Sequence, residues 1–239
     1  MSWKPSKYVK SVMIFCPAFG QQMHTLTAQS IFNAGQFMTL HGIPNVFTTM
    51  SAGDIEELRN LAITSWYDGT EYSHLLMVDA DMEFPVALIR DMLGFGKPLV
   101  GCFYARRQWP AVAVGRAFDE GSVSDLNQGF LKVAGVGGGV LLIERNVVRV
   151  MLDKLSDIVD QDVSGHPGIA HLPKKRLIRA FDKYRSANND RLSEDLAFCD
   201  RWLRCDGEVW ANVNHLIGHY GMFNYAIRYA DFLEKKAAA

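Results

Sequence analysis

The run His74-Leu75-Leu76-Met77-Val78 stops at Asp79-Ala80-Asp81, and no other stretch constrains the fold as tightly. A short apolar run ending in a β-branched residue reads as a buried strand. Carboxylates at i and i+2 of extended backbone share a face, and a strand end lets them converge. Two anions held that close repel unless a cation lies between them. A hard divalent ion with oxygen ligands, Mg²⁺ or Mn²⁺, is the simplest partner. The competing reading is a strand-end turn with two solvated acids. Asp-X-Asp is a common chance pattern, so the rest of the chain has to decide.

The surrounding sequence alternates strand and helix. Ser11–Cys16 reads as a buried strand, ended by Pro17 and Gly20. A helix follows with Ala28, Ile31, Phe32, Gly35 and Met38 on one face, stopping at His41-Gly42 before Pro44. Val46–Thr49 is a second strand. Asp54 is placed to cap a helix that carries Ile55, Leu58, Ala62 and Trp66. After the aspartates, Pro85 sits early in a helix running through Leu93, and Pro98–Phe103 is another strand. Such alternation predicts an α/β fold with a doubly wound, mostly parallel, Rossmann-like sheet and right-handed crossovers. Ligands of such sheets lie at the carboxyl ends of strands, where Asp79 and Asp81 stand. Further on, Val112–Phe118 and Phe130–Val133 read as strands, and Val140–Ile143 as a strand entering a helix from Asn146. Residues 156–192 are polar and rich in breakers, which predicts a long loop or lid.

Composition excludes some classes. The 239 residues are 49% hydrophobic and 21% charged, with net charge −1, so a packed core is expected and a generally basic nucleic-acid binder is not. Cys16, Cys102, Cys199 and Cys205 form no Cys-X-X-Cys pair, which argues against a zinc site and for buried, reduced thiols in a cytoplasmic protein, or in a host cytoplasm if the chain is viral. No secretory leader is visible, and no apolar run approaches the ~20 residues of a membrane span. Ala237-Ala238-Ala239 reads as a vector remnant.

Other residues carry possible chemistry. Ser193-Glu194-Asp195 opens a helix, where the acids either favour the helix dipole or present a general base. His219, in Leu216-Ile217-Gly218-His219-Tyr220-Gly221, is a potential metal ligand, with His215 as its rival. Gly135-Val136-Gly137-Gly138-Gly139-Val140 is neither a dinucleotide fingerprint nor a P-loop, and implies close backbone approach by a strand or ligand. Arg106-Arg107 follows a strand and suits phosphate oxygens, or is a solvated pair. Lys174, Lys175, Arg176, Arg179, Lys183, Arg185 and Arg191 crowd one segment. They are a solvated face, a lid closing on an anion, or a nucleic-acid contact; only Phe181 and Tyr184 are there to stack bases.

Taken in order, the first strand, Asp-X-Asp, the glycine-rich strand, Glu-Asp at a helix start and a late histidine resemble the small GT-A fold glycosyltransferases of viral and bacterial type. The resemblance spans nearly the whole chain. It implies one GT-A domain over residues 1–236, with a nucleotide-sugar half to about residue 105 and an acceptor half beyond. It implies Asp79, Asp81 and His219 as ligands of Mn²⁺, or Mg²⁺, gripping the diphosphate. Pro17, Ala18, Arg59, Asp79, Ala80, Asp81, Arg106 and Gly138 would contact the donor. Asp195 would be the base of an inverting transfer, with Glu194 beside the acceptor. A UDP-sugar donor, with glucose the first guess, and a glycan, lipid or modified nucleic-acid acceptor complete the expectation. Two alternatives stay open. A nucleotidyltransferase also uses paired aspartates, but residues 15–25 contain no Lys or Arg. A non-catalytic sugar- or nucleic-acid-binding module would keep the fold without the chemistry.

Overall fold

A computed structural model describes residues 3–51, 53–118, 126–161, 163 and 167–237; the terminal Ala238 and Ala239, part of the expected vector remnant, lie outside the described residues. The apolar runs become strands and the amphipathic stretches helices. In chain order these are β1 (Val12–Pro17), α1 (Thr25–Leu40), β2 (Asn45–Met50), α2 (Ile55–Gly69), β3 (His74–Val78), β4 (Met82–Glu83), α3 (Val86–Phe95), β5 (Leu99–Cys102) and β6 (Tyr104–Ala105). Then come β7 (Ala113–Ala117), β8 (Phe130–Val136), β9 (Val140–Glu144), α4 (Arg145–Lys154), β10 (Val159–Gln161), β11 (Arg176–Ile178), α5 (Glu194–Arg204), β12 (Val209–Asn212), β13 (Ile217–Tyr220), β14 (Asn224–Ile227) and α6 (Ala230–Ala237).

Nine strands form the main sheet in the order β2-β1-β3-β9-β5-β12-β8-β7-β6. Strands β2, β1 and β3 pair in parallel, as do β5 and β12, while β9 is inserted antiparallel between β3 and β5. Following the pairings, β2, β1, β3, β5, β12 and β7 all point one way, so the sheet is mostly parallel in direction. Every residue of β1, β3, β5 and β12 is buried. That follows from helices covering both faces. Ile31, Ala34 and Met38 of α1 and Leu88, Ile89 and Met92 of α3 pack on one face. Ala62, Ile63 and Trp66 of α2 join Val147 of α4 and Phe198 of α5 on the other. Asp54 caps α2 as the sequence predicts, its Oδ1 accepting from the Glu56 N–H at 3.1 Å.

Two expectations need correction. The buried stripe of α1 is Thr27, Ser30, Ile31, Ala34 and Met38; Ala28 is exposed, Phe32 is 62% exposed and Gly35 is half-buried. Phe32 instead flanks an apolar groove of about 560 Å³ shared with Phe47 of the edge strand β2. The described residues of the segment 156–192 are packed down rather than forming a free lid. Its apolar pairs anchor it: Leu177, Ile178, Ala180 and Phe181 are buried, and the Phe181 ring stacks on Phe198 at 4.4 Å. Helix α2 holds the backbone, with Thr64 Oγ1 accepting from the Ile178 N–H at 2.9 Å and Asn60 Oδ1 from the Phe181 N–H at 2.9 Å. Its cations have local partners, Arg176 and Lys174 on the buried Asp68 carboxylate and Lys183 on Glu56.

A smaller sheet, β14-β13-β4, builds the site. Because β4 begins one residue after Asp81, pairing His219 with Met82 brings the late histidine to the end of β3. All four cysteines are buried and free. No helix among the described residues is long and apolar enough to cross a membrane.

Candidate active site

Strand β3 ends where Asp79 turns its N–H to the Gly139 carbonyl at 2.9 Å and its carbonyl accepts from the Met82 N–H at 3.3 Å. The turn sends the two aspartates to different partners. Asp79 accepts two hydrogen bonds from Nη2 of Arg59, at 2.8 and 3.0 Å. Arg59 is 2% exposed, its Nη1 donates to the Gly138 carbonyl at 3.0 Å, and its Nε lies 3.7 Å from Glu194 Oε1. Burial works against that charge, but Asp79, Glu194 and Asp195 outweigh it and hold the guanidinium above its ordinary pKa. Gly138 is required here, since a Cβ on it would lie 2.0 Å from Arg59 Nη1.

Asp81 behaves differently. Its Oδ2 pairs with the Arg107 guanidinium. Its Oδ1 is buried with no hydrogen-bond partner and lies 3.6 Å from His219 Nε2. His219 Nδ1 is 2.8 Å from the Ala105 carbonyl. A carbonyl only accepts, so Nδ1 carries the hydrogen and Nε2 points a lone pair at Asp81. Burial lowers the imidazole pKa against the Ala105 hydrogen bond, and the Arg107 charge lowers it further. A neutral imidazole lone pair facing an unpartnered carboxylate oxygen is a donor set that suits a divalent cation. Asp79 is turned away onto Arg59, and among the described residues no group of three acidic, histidine or cysteine side chains is assembled around one point. His215 lies elsewhere, with Nε2 2.8 Å from Asp91 Oδ2.

Helix α5 brings up the remaining acids. Asp195 Oδ2 accepts from the Gly138 N–H at 3.2 Å, and Oδ1 accepts from the Leu196 N–H at 2.7 Å and from the Ser193 hydroxyl. A carboxylate offers about four lone-pair directions, so these three bonds orient Asp195 and leave one direction open. Arg59, Glu194, Asp195 and Gly138 therefore cluster around Asp79, which itself lines the cleft.

The cleft has a volume of about 690 Å³. Its lining includes Pro17, Phe19 and Ile55, the turn Asp79-Ala80-Asp81, and Arg107, Tyr220 and Gly221. Ala18 is buried beside it, held by its N–H to the Met50 carbonyl at 2.9 Å. The Ala80 carbonyl accepts from the His24 N–H at 2.7 Å. Arg107, rather than Arg106, lines the cleft; Arg106 is exposed, and its backbone N–H closes a turn onto Val112 at 2.7 Å. Tyr104, which opens the stretch Tyr104–Arg107 singled out in the sequence, lines the cleft. The buried Tyr104 accepts from the Gly139 N–H at 3.2 Å and meets the His219 ring edge-on at 5.2 Å. Sequence reasoning missed His24, whose ring stacks on Tyr220 at 3.8 Å and for which no sequence signal was available.

No known family profile and no curated protein matches the chain in sequence. Solved structures do match in fold. A197 from STIV aligns with TM-score 0.50 and 14% identity, over 88% of this chain and 86% of that one. GalNAc-T7, crystallised with UDP, GalNAc and Mn²⁺, aligns with TM-score 0.50 and 10% identity, over 87% of this chain. The chain spans 43% of the GalNAc-T7 chain. At such identities the likeness is one of architecture. The chain has the fold of the GT-A glycosyltransferases.

Proposed function

We propose that this chain is a divalent-metal-dependent glycosyltransferase that moves a sugar from a nucleoside diphosphate sugar to an acceptor hydroxyl. The observation that carries the reading is the unpartnered Asp81 Oδ1 facing the His219 Nε2 lone pair at 3.6 Å, on the wall of a cleft at the carboxyl end of β3. Asp81 and His219 would hold Mn²⁺ or Mg²⁺, and the bound ion supplies positive charge against the diphosphate leaving group. UDP-glucose is the first donor to test; GalNAc-T7, similar in fold, was crystallised with UDP and Mn²⁺.

The chain's own residues have separable roles in this reading. Pro17, Ala18 and Phe19 form the nucleoside end of the cleft. Arg107 is free to exchange Asp81 for a phosphate oxygen, since half of its side chain reaches solvent. Arg59 holds Asp79, Gly138 and Glu194 in register and supplies a positive charge among neighbouring carboxylates. Asp195, oriented by three hydrogen bonds, takes the acceptor proton on its open lone pair, with Glu194 adjacent; this makes the transfer inverting. Residues 1–236 would work as one domain, the first 105 or so for the donor and the remainder for the acceptor. Four buried thiols suit a reducing, cytoplasmic setting.

Calorimetry tests the reading directly. UDP should bind wild type with Mn²⁺ and lose that dependence in Asp81→Ala. Equal UDP affinity with Mn²⁺ and with chelator sinks it.

A further inference from the structure

Tyr104 is 5% exposed and yet lines the cleft. Strand β6 fixes it, with Tyr104 paired to Val114 of β7. The glycine run leaves room for its ring. A Cβ at Gly137 would lie 2.3 Å from the Tyr104 hydroxyl oxygen, and one at Gly139 would lie 2.8 Å from the ring. The hydroxyl accepts from the Gly139 N–H, and a hydroxyl that accepts keeps its own proton to donate. Among the described residues that proton has no acceptor. Burial holds the phenol pKa well above its ordinary value, and Asp79 and Asp195 raise it further against the charge of Arg59. The group therefore stays protonated, an unused donor on a desolvated wall. A buried donor is costly without an acceptor, and the cleft is where Tyr104 meets open space.

Its neighbours decide which part of a substrate it meets. The ring stands edge-on to His219 at 5.2 Å, beside the candidate metal ligand. Asp195 accepts from the Gly138 N–H and Tyr104 from the Gly139 N–H, so the candidate base and the phenol sit on consecutive amides. Tyr104 thus stands between His219 and Asp195. In a sugar transfer the diphosphate lies at the metal, the acceptor oxygen lies at the base, and the transferred ring spans the gap. Asp79 and Asp195 are close enough to act on the phenol electrostatically. Their charge disfavours an anionic phosphate at this spot and leaves a neutral hydroxyl as the fitting acceptor. We infer that the Tyr104 hydroxyl donates a hydrogen bond to a hydroxyl oxygen of the transferred sugar, so that Tyr104 reads the sugar of the donor rather than its nucleotide. The inference rests on the glycosyltransferase reading.

Calorimetry on the full chain with Mn²⁺ tests it, with UDP, UDP-glucose and UDP-galactose as probes. Tyr104→Phe keeps the ring and removes the proton. It should bind UDP as wild type does, and the tighter UDP-sugar about fivefold more weakly, the loss expected for one hydrogen bond. Among the monodeoxy analogues of that UDP-sugar, one should bind wild type and Tyr104→Phe equally, because the partner oxygen is already gone. Gly137→Ala crowds the hydroxyl instead of removing it. It should show the same loss for the UDP-sugar with UDP unchanged, and it carries the test if Tyr104→Phe does not fold. Wild-type affinity for both UDP-sugars in both variants overturns the inference. An equal loss for UDP and UDP-sugar also overturns it, and would make Tyr104 a support for His219. Wild type that binds UDP no better with Mn²⁺ than with chelator overturns the donor reading itself, and the inference with it.

Discussion

Arg107 pairs with Oδ2 of Asp81 while Oδ1 of the same carboxylate is left without a partner. A side-chain cation and an incoming metal ion thus compete for one carboxylate. In the absence of metal, Arg107 lowers the repulsion that Asp81 would otherwise meet near Asp79.

Arg107→Gln should therefore bind Mn²⁺ more tightly than wild type when no nucleotide is present. Arg107 is 46% exposed, and an ion pair that open to water contributes up to about 1 kcal/mol, roughly a fivefold change. Calorimetric titration of Mn²⁺ measures it. Unchanged or weaker Mn²⁺ binding would show that Arg107 does not compete. With UDP present the same variant should bind the nucleotide less well, since a phosphate partner is gone.

Asp195→Asn separates catalysis from binding. The amide keeps an oxygen for the Gly138 N–H and loses the proton acceptor. Transfer should fall by ~10²–10⁴, about 3–5 kcal/mol of barrier, while donor affinity stays near wild type. Near-normal transfer would move the base assignment to Glu194 or to a retaining mechanism.

Arg59→Leu leaves Asp79, Glu194 and Asp195 facing one another without their buried cation. Removing one partner of a buried ion pair costs about 3–5 kcal/mol, readable by urea unfolding at neutral pH. The loss should shrink in mild acid. Burial already holds the Asp79 carboxyl above its ordinary pKa and Arg59 pulls it down, so without Arg59 it rises further above the unfolded value. Its penalty is absent below the unfolded pKa and grows as pH rises through the folded one. A stability loss independent of pH would mean that packing, not charge, dominates at this position.

His74 at the start of β3 is 3% exposed, and burial pushes its imidazole down to about 4. The depressed pKa gives stability that is present above the unfolded value of about 6.5 and lost as pH falls toward about 4. The shift corresponds to roughly 3 kcal/mol. His74→Leu should flatten the stability profile across that window in denaturant titrations. Parallel profiles for the two proteins would show that another group governs acid unfolding.

How much of this was legible in the sequence depends on the range of the signal. Strands β1, β3, β5 and β9, the Asp54 cap and the start of α5 were all readable, because apolar period and turn chemistry act between residues a few positions apart. The glycine at 138 was readable as a close approach, though not as an approach by Arg59. The segment around Phe181 was misread because its seven cations outweighed two short apolar pairs, whose value appears only against α2 and α5.

The sequence alone determined the alternation of elements, the carboxylates at a strand end and therefore the kind of fold. Only tertiary structure decided which histidine stands beside Asp81, which arginine enters the cleft and where Asp79 points. Those choices follow from long-range pairing: β13 against β4 delivers His219 and leaves His215 to Asp91, and α2 against the β3 end gives Asp79 to Arg59. A buried charge takes whichever counter-charge the packed chain brings within reach, and no local pattern of residues records that distance.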